Sequence, residues 1–70
     1  MSDPEKTEYF ANQLKLAIQE SNLSTKQLAA KTGISKTTIN HWKHGTTLPR
    51  IQSLVKLAKV LDKSVSWFVG

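Results

Sequence analysis

The chain has 70 residues, 39% of them hydrophobic, and a net charge of +5, which allow one small domain with a single core. The absence of cysteine excludes disulfides and thiolate metal sites, and no apolar run approaches the roughly 20 residues of a membrane span. Because the N-terminal MSDPEKTE is polar and acidic, it is unlike a secretory signal, and we expect a cytoplasmic protein with one domain, residues 1–70.

The periodicity predicts five helices and no strand, because apolar residues recur at helical spacing and do not alternate. The first helix is expected from Pro4 or Glu5 to Glu20, with Asp3 as its N-cap. Asn22 ends this helix, since asparagine tolerates the left-handed conformation found there. The residues of its buried stripe are Phe10, Leu14, Ala17 and Ile18.

The second helix begins at a capping box, in which Ser24 is the N-cap and Gln27 lies three residues later. Gly33 closes the helix, because a glycine readily takes the left-handed turn that joins two closely crossing helices. Ala29 supplies the small side chain that such a crossing requires.

The third helix is capped by Ser35, runs to Lys43 or His44, and stops at Gly45. Ile39 is the β-branched residue that plugs it into the second helix. The apolar positions around the pair are Leu28, Ile34 and Trp42. This order of residues predicts a helix-turn-helix over about residues 25–44.

The fourth helix is expected from about Arg50 to Asp62, after the loop of residues 46–49. Its apolar positions follow a helical period and are Ile51, Leu54, Val55, Ala58 and Leu61. Ser64 caps a last short helix, in which Val65 and Phe68 face inward. Lys56, Lys59 and Lys63 are expected only to keep the domain soluble.

The charge is distributed unevenly along the chain. Residues 1–20 hold four acidic side chains against two lysines, net −2, whereas residues 21–70 hold eight lysines and arginines against Asp62, net +7. A positive field over the helix-turn-helix favours a polyanionic partner such as nucleic acid. An ordinary lysine-rich solvated surface is the alternative interpretation.

The position of the helix-turn-helix selects the candidate DNA contacts. The base-reading candidates, on the outer face of the third helix, are Lys36, Thr37, Asn40 and His41. The phosphate-contacting candidates, on the flanks of that helix, are Ser24, Thr25, Lys26, Gln27, Lys43, His44, Thr46, Thr47 and Arg50. For Ser24, helix capping is a simpler interpretation than a DNA contact. For the outer face of the third helix, the alternative interpretation is an ordinary solvated surface with no DNA contact.

Other kinds of site find little support in the sequence. His41 and His44 are spaced for two metal ligands, but no third ligand is in view, so we expect neither a metal nor another cofactor. No nucleophile, base and orienting group occur together, which argues against an enzyme. Trp67 and Phe68 either form a dimer interface or simply close the core.

The chain resembles the Cro/C1-type helix-turn-helix family of phage repressors and related bacterial regulators over about residues 10–70. The motifs that carry the resemblance are Leu23-Ser24, Gln27-Leu28-Ala29, Gly33-Ile34-Ser35, Ile39…Trp42…Gly45 and Pro49 followed by LVKLAKVLDKSVSWFVG. It implies an all-α, lambda-repressor-like five-helix bundle that binds a pseudo-palindromic operator in double-stranded DNA as a homodimer, represses transcription and has no membrane partner. The alternative is a protein-interaction module with weak, non-specific DNA binding.

Three features depart from the family pattern. Gln13 and Lys43 stand where members often carry an arginine and a glutamate that form an ion pair, and Lys43 is then free to reach a phosphate. Arg50 stands where a Ser or Thr cap is common, and Lys63 replaces the glycine usual after the fourth helix. The tail also resembles the point where longer repressors pass into a linker, which leaves open that the chain is the N-terminal domain of a longer protein.

Overall fold

Five α-helices make up the computed structural model, which describes residues 4–70. The helices are α1 (Pro4–Ser21), α2 (Thr25–Thr32), α3 (Lys36–Lys43), α4 (Ile51–Leu61) and α5 (Val65–Val69). No strand occurs within this range, and the all-α prediction is confirmed. The N-cap assigned to Asp3 lies outside the described residues.

Serine side chains start three of the helices as expected. Ser24 Oγ accepts the backbone N–H of Gln27 at 3.1 Å, while Gln27 Oε1 accepts the backbone N–H of Ser24 at 2.9 Å, so the capping box is confirmed. Ser35 and Ser64 cap α3 and α5 in the same way, each accepting a backbone N–H three residues on. Each such cap stabilises its helix by about 1 kcal/mol.

The core is a single cluster to which every helix contributes. It is centred on α1, which packs against α3, α4 and α5, while α2 packs against α3 and α4. The fully buried large side chains are Phe10, Phe68, Leu14, Leu28, Ile39 and Leu57. The stripe expected on the first helix is thereby confirmed, since Ala17 and Ile18 are also buried.

The apolar face expected on α4 is wrong at two positions. Ile51 is 63% exposed and Val55 is 42% exposed, whereas Leu57 is fully buried. The helix has more apolar residues than one face can hold, so periodicity alone did not select the buried set. The packing against α1, α2 and α5 selects Leu54, Leu57, Ala58 and Leu61.

Lys63 is more than a solubilising residue, which corrects the expectation for it. Asp62 takes the left-handed conformation after α4 with φ 57°, so Lys63 does not need to replace a glycine there. Its Nζ lies 2.9 Å from Glu20 Oε1 at the end of α1 and 4.6 Å from the ring centroid of Trp67 on α5. Lys63 therefore ties three segments of the fold together.

Candidate nucleic-acid interface

The turn between α2 and α3 is fixed by its own hydrogen bonds. Gly33 has φ 74°, the left-handed conformation predicted for it, and its N–H donates to Ala29 O at 2.9 Å. The buried Thr32 hydroxyl donates to Leu28 O at 2.8 Å and accepts the N–H of Ile34 at 3.2 Å. Together with the Ser35 cap, these bonds set the direction in which α3 leaves the turn.

The inner side of α3 anchors the helix in the core. Ile39 is fully buried and Trp42 is 6% exposed, as predicted for both. These side chains face α1 and α2, against which α3 packs. Because the two large apolar residues are held from inside, the opposite side of α3 must face outward.

The outer side of α3 presents the four base-reading candidates. Lys36, Thr37 and His41 are exposed and Asn40 is half-buried. Within residues 4–70, none of the four side chains makes a hydrogen bond or an ion pair. The structure thus brings them together on one face with their donors and acceptors available to an external ligand.

At the start of α2, part of the expected phosphate-binding capacity is used within the chain. The Ser24 hydroxyl and the side-chain oxygen of Gln27 accept the two hydrogen bonds of the capping box, so these two atoms already have partners within the chain. Lys26 is exposed beside them. The amide nitrogen of Gln27 and the ammonium group of Lys26 remain as donors toward an anion.

Lys43 and Thr25 join the two ends of the helix-turn-helix. Lys43 Nζ donates to Thr25 Oγ1 at 3.1 Å, and both residues are half-buried, so the expectation that Lys43 has no partner in the chain is wrong. An ammonium group has three N–H donors, and two of them remain for a phosphate. Gln13, the other half of the missing ion pair, instead donates from Nε2 to Trp67 O at 3.0 Å and ties α1 to α5. The departure from the family pattern therefore yields two separate hydrogen bonds in place of one ion pair.

The segment between α3 and α4 is mostly exposed. His44, Thr46, Thr47 and Arg50 are exposed, and Thr46 Oγ1 donates to His41 O at 3.1 Å. No side-chain hydrogen bond caps the start of α4, where Arg50 occupies the N-cap position. A cation at this end of a helix is unfavourable, because the helix dipole is positive there.

The proposed dimer contact needs a correction at one of its two residues. Phe68 is fully buried against Phe10, with ring centroids 5.7 Å apart, so it closes the core of its own chain. Trp67 is half-buried, contacts Phe68 edge to face at 5.0 Å, and lies beneath Lys63. Only Trp67 keeps a surface that a second subunit would reach.

Sequence reasoning missed the roles of three residues that hold the fold together. Thr32 and Leu57 are buried, and Lys63 links α1 to α5. Thr32 had a signal, since a hydroxyl one residue before a helix-closing glycine is well placed to bond the preceding turn. The ion pair of Lys63 had none, because its partner Glu20 is distant in sequence.

Two further properties concern the described part of the chain as a whole. Among residues 4–70, no three His, Asp or Glu side chains are arranged to hold a metal ion. No helix in the same range combines the length and the apolar character needed to cross a bilayer.

Comparison with known proteins gives consistent results. An uncharacterized HTH-type transcriptional regulator, y4dL of Sinorhizobium fredii, is 33% identical over 60 residues, which are 86% of this chain and 31% of that protein. A second HTH-type regulator, from Haemophilus influenzae, is 33% identical over 64 residues, or 91% of this chain and 23% of that protein. The crystal structure of an HTH_3 family transcriptional regulator from Vibrio cholerae superposes with a TM-score of 0.86 at 34% identity and covers 96% of this chain.

The chain spans well under half of each relative, 38% in the case of the Vibrio cholerae protein. What this chain shares with the Vibrio cholerae structure is the five-helix fold, over 96% of the chain. Residues 14–68, which contain α2 to α4 in full, match the helix-turn-helix family HTH_3. The fold and this match agree, and the chain belongs to the HTH_3 helix-turn-helix family.

Proposed function

We propose that the chain binds double-stranded DNA in a sequence-specific manner and acts as a transcriptional regulator, with α3 in the major groove. One observation carries the proposal: the outer side of α3 holds four polar side chains without internal partners, while its inner side is locked in the core. An α-helix fits the width of the major groove, and a rigidly held one presents its side chains to base edges. The relatives named as transcriptional regulators support the same conclusion.

Each base-reading residue has chemistry that fits a base edge. Lys36 donates to O6 and N7 of guanine, and Asn40 has the donor and acceptor that pair with adenine. Thr37 offers a hydroxyl for a base edge and a methyl group for thymine, and His41 donates to N7 of guanine. Lys36 and Thr37 occupy the first turn of α3, the part that enters the groove most deeply in helix-turn-helix proteins.

The flanks of α3 supply the sequence-independent part of the affinity. Lys26 and Lys43 lie on the α2 side, and Arg50 lies on the α4 side, with Ser24, Thr25, Gln27, His44, Thr46 and Thr47 as further polar contacts. Cations that neutralise phosphates release condensed counterions, so affinity falls with salt in proportion to their number. An anion next to Arg50 also removes the unfavourable meeting of that cation with the helix dipole.

A repressor that works as a homodimer is the most specific form of this proposal. Occupying an operator that overlaps a promoter requires affinity and position, and no chemistry. Two copies with their α3 helices about 34 Å apart would read a pseudo-palindrome. Trp67 remains a candidate for the contact between the two copies, since part of its ring is accessible.

The experiment that tests the proposal compares three lysine variants on cognate and random duplexes. Lys36→Ala should lose roughly 1–3 kcal/mol on the cognate site and relax the preference at one base pair. Lys43→Ala should weaken binding to all sequences alike, because a phosphate contact carries no sequence information. Lys15→Ala, at an exposed position of α1, is the matched control and should change neither affinity. Equal losses on cognate and random DNA for Lys36→Ala would contradict its role as a base reader.

A further inference from the structure

The outer face of α4 carries an exposed apolar pair. Ile51 and Val55, one helical turn apart, are 63% and 42% exposed. Leu54, Leu57 and Leu61 face the other way and are buried, so the pair contributes little to the core. Two neighbouring branched side chains that are exposed to water form a small apolar patch, and covering this patch with another apolar surface is favourable.

Positive charge lies beside this apolar pair. Arg50 precedes Ile51, and Lys56 and Lys59 lie on the exposed side of the same helix. Between residues 51 and 61 the sequence has no acidic residue. Within residues 4–70 neither Lys56 nor Lys59 is ion-paired, whereas Lys63 pairs with Glu20. The face thus combines an apolar centre with a cationic border.

Three kinds of occupant can be compared with this face. DNA phosphates match the cations but gain nothing from Ile51 and Val55. A second copy of the chain, seated face to face, would bring the same cations together, which is unfavourable. An amphipathic helix with an acidic border matches both features, since it places apolar anchors at i and i+4 and carboxylates beside them.

We propose that the α4 face, defined by Ile51, Val55, Lys56 and Lys59, docks an acidic amphipathic helix of a partner protein. Because Arg50 directly precedes the face, a carboxylate on that helix would meet the same guanidinium as the DNA phosphate. Docking therefore antagonises DNA binding, a consequence that rests on the proposed function. The surface itself does not depend on DNA and can be tested in its absence.

The first experiment measures docking without DNA. The probe is a labelled synthetic peptide with leucines on one helical face and glutamates at the positions that border this face, and its binding is followed by fluorescence anisotropy. Its controls are a scrambled peptide of the same composition and a peptide with lysine in place of every glutamate. We expect the acidic amphipathic peptide to bind and both controls to bind much more weakly, with NMR shift changes confined to α4.

Variants of the chain locate the binding surface. Ile51→Ser and Val55→Ser should each weaken peptide binding by about tenfold, because each removes an aliphatic side chain that the peptide covers in the complex. Leu16→Ser on α1 is the matched control, since Leu16 is 43% exposed and Val55 42% exposed. All three substituted positions are on the surface, so circular dichroism and thermal melting should confirm that the variants fold.

Several results would overturn the inference. Equal binding of the scrambled peptide would mean a charge effect alone, and equal affinity of Ile51→Ser would place the peptide elsewhere. A wild-type dimer in sedimentation that Ile51→Ser dissociates would assign the face to a second copy.

The second experiment adds the selected DNA site to the same proteins. We expect the acidic peptide to displace DNA, and a stable ternary complex would contradict the antagonism. If no DNA is bound even without peptide, the proposed function fails while the docking result stands on its own.

Discussion

The two junctions that flank α3 differ in how they satisfy their polar groups. Both begin at a glycine with a left-handed backbone, Gly33 with φ 74° and Gly45 with φ 76°. Around Gly33, the Thr32 hydroxyl accepts the backbone N–H of Ile34, and the Ser35 hydroxyl accepts the backbone N–H of Thr38. After Gly45, five residues lead to α4. Arg50 occupies the N-cap position of that helix and forms no side-chain capping hydrogen bond.

The difference separates positioning from binding. The junction before α3 spends its polar atoms on the chain itself, because the direction of α3 has to be fixed. The junction after α3 uses the Thr46 hydroxyl within the chain but leaves the Thr47 hydroxyl and the Arg50 guanidinium exposed. An exposed cation on a helix N-terminus is stabilised by an external anion.

The largest effect is expected where α3 meets the core. Ile39→Ala should reduce the free energy of unfolding by about 2–5 kcal/mol, because it leaves a cavity at a fully buried site. Urea denaturation followed by circular dichroism measures the change. Ile51→Ala, at a position 63% exposed, is the control and should change stability by no more than about 0.5 kcal/mol. Similar losses for the two variants would contradict the assignment of inner and outer faces.

An intermediate effect is expected at the turn before α3. Gly33→Ala should reduce the free energy of unfolding by about 1–2 kcal/mol, since a side chain disfavours the left-handed conformation. A Cβ at Gly33 would meet nothing within 4 Å, so crowding adds no further loss. Gly33→Asn should lose less than Gly33→Ala, because asparagine tolerates this conformation better. An alanine variant as stable as the wild type would disprove the role given to the turn.

The smallest change in stability is expected at the second junction, and it has the opposite sign. Arg50→Ser should raise the free energy of unfolding by about 1 kcal/mol, because it supplies the missing N-cap of α4 and removes a cation from the helix N-terminus. The same variant should bind DNA less tightly, and the slope of log K against log salt should decrease in magnitude by about 1. Thermal melting and a salt titration measure the two effects. An unchanged salt slope would mean that Arg50 contacts no phosphate.

The helix ends were predictable from the sequence because their signals are local. Ser24 with Gln27, Ser35 and Ser64 act on backbone groups three residues away, and all of these caps are confirmed. Asn22 likewise takes the left-handed conformation expected of it, with φ 61°. A cap needs no knowledge of the rest of the fold.

The choice of buried side on α4 was not predictable from the sequence, because it depends on distant packing. Ile51 and Val55 fit a helical apolar stripe as well as Leu57 does, and only the placement of α1, α2 and α5 separates them. The ion pair of Lys63 is similar, since its partner Glu20 lies on α1, far away in the sequence. The outer face of α3 was predicted from its position after the turn, and its role in reading bases stays a prediction.

Selection of binding sites from random duplex DNA, run with the wild type and Lys36→Ala in parallel, is the decisive test of sequence reading by α3. The wild type should enrich a palindrome with two half-sites about one helical turn apart. The variant should show relaxed preference at one base pair per half-site. The absence of any enriched sequence, with equally salt-sensitive binding to every duplex, would contradict sequence reading by α3.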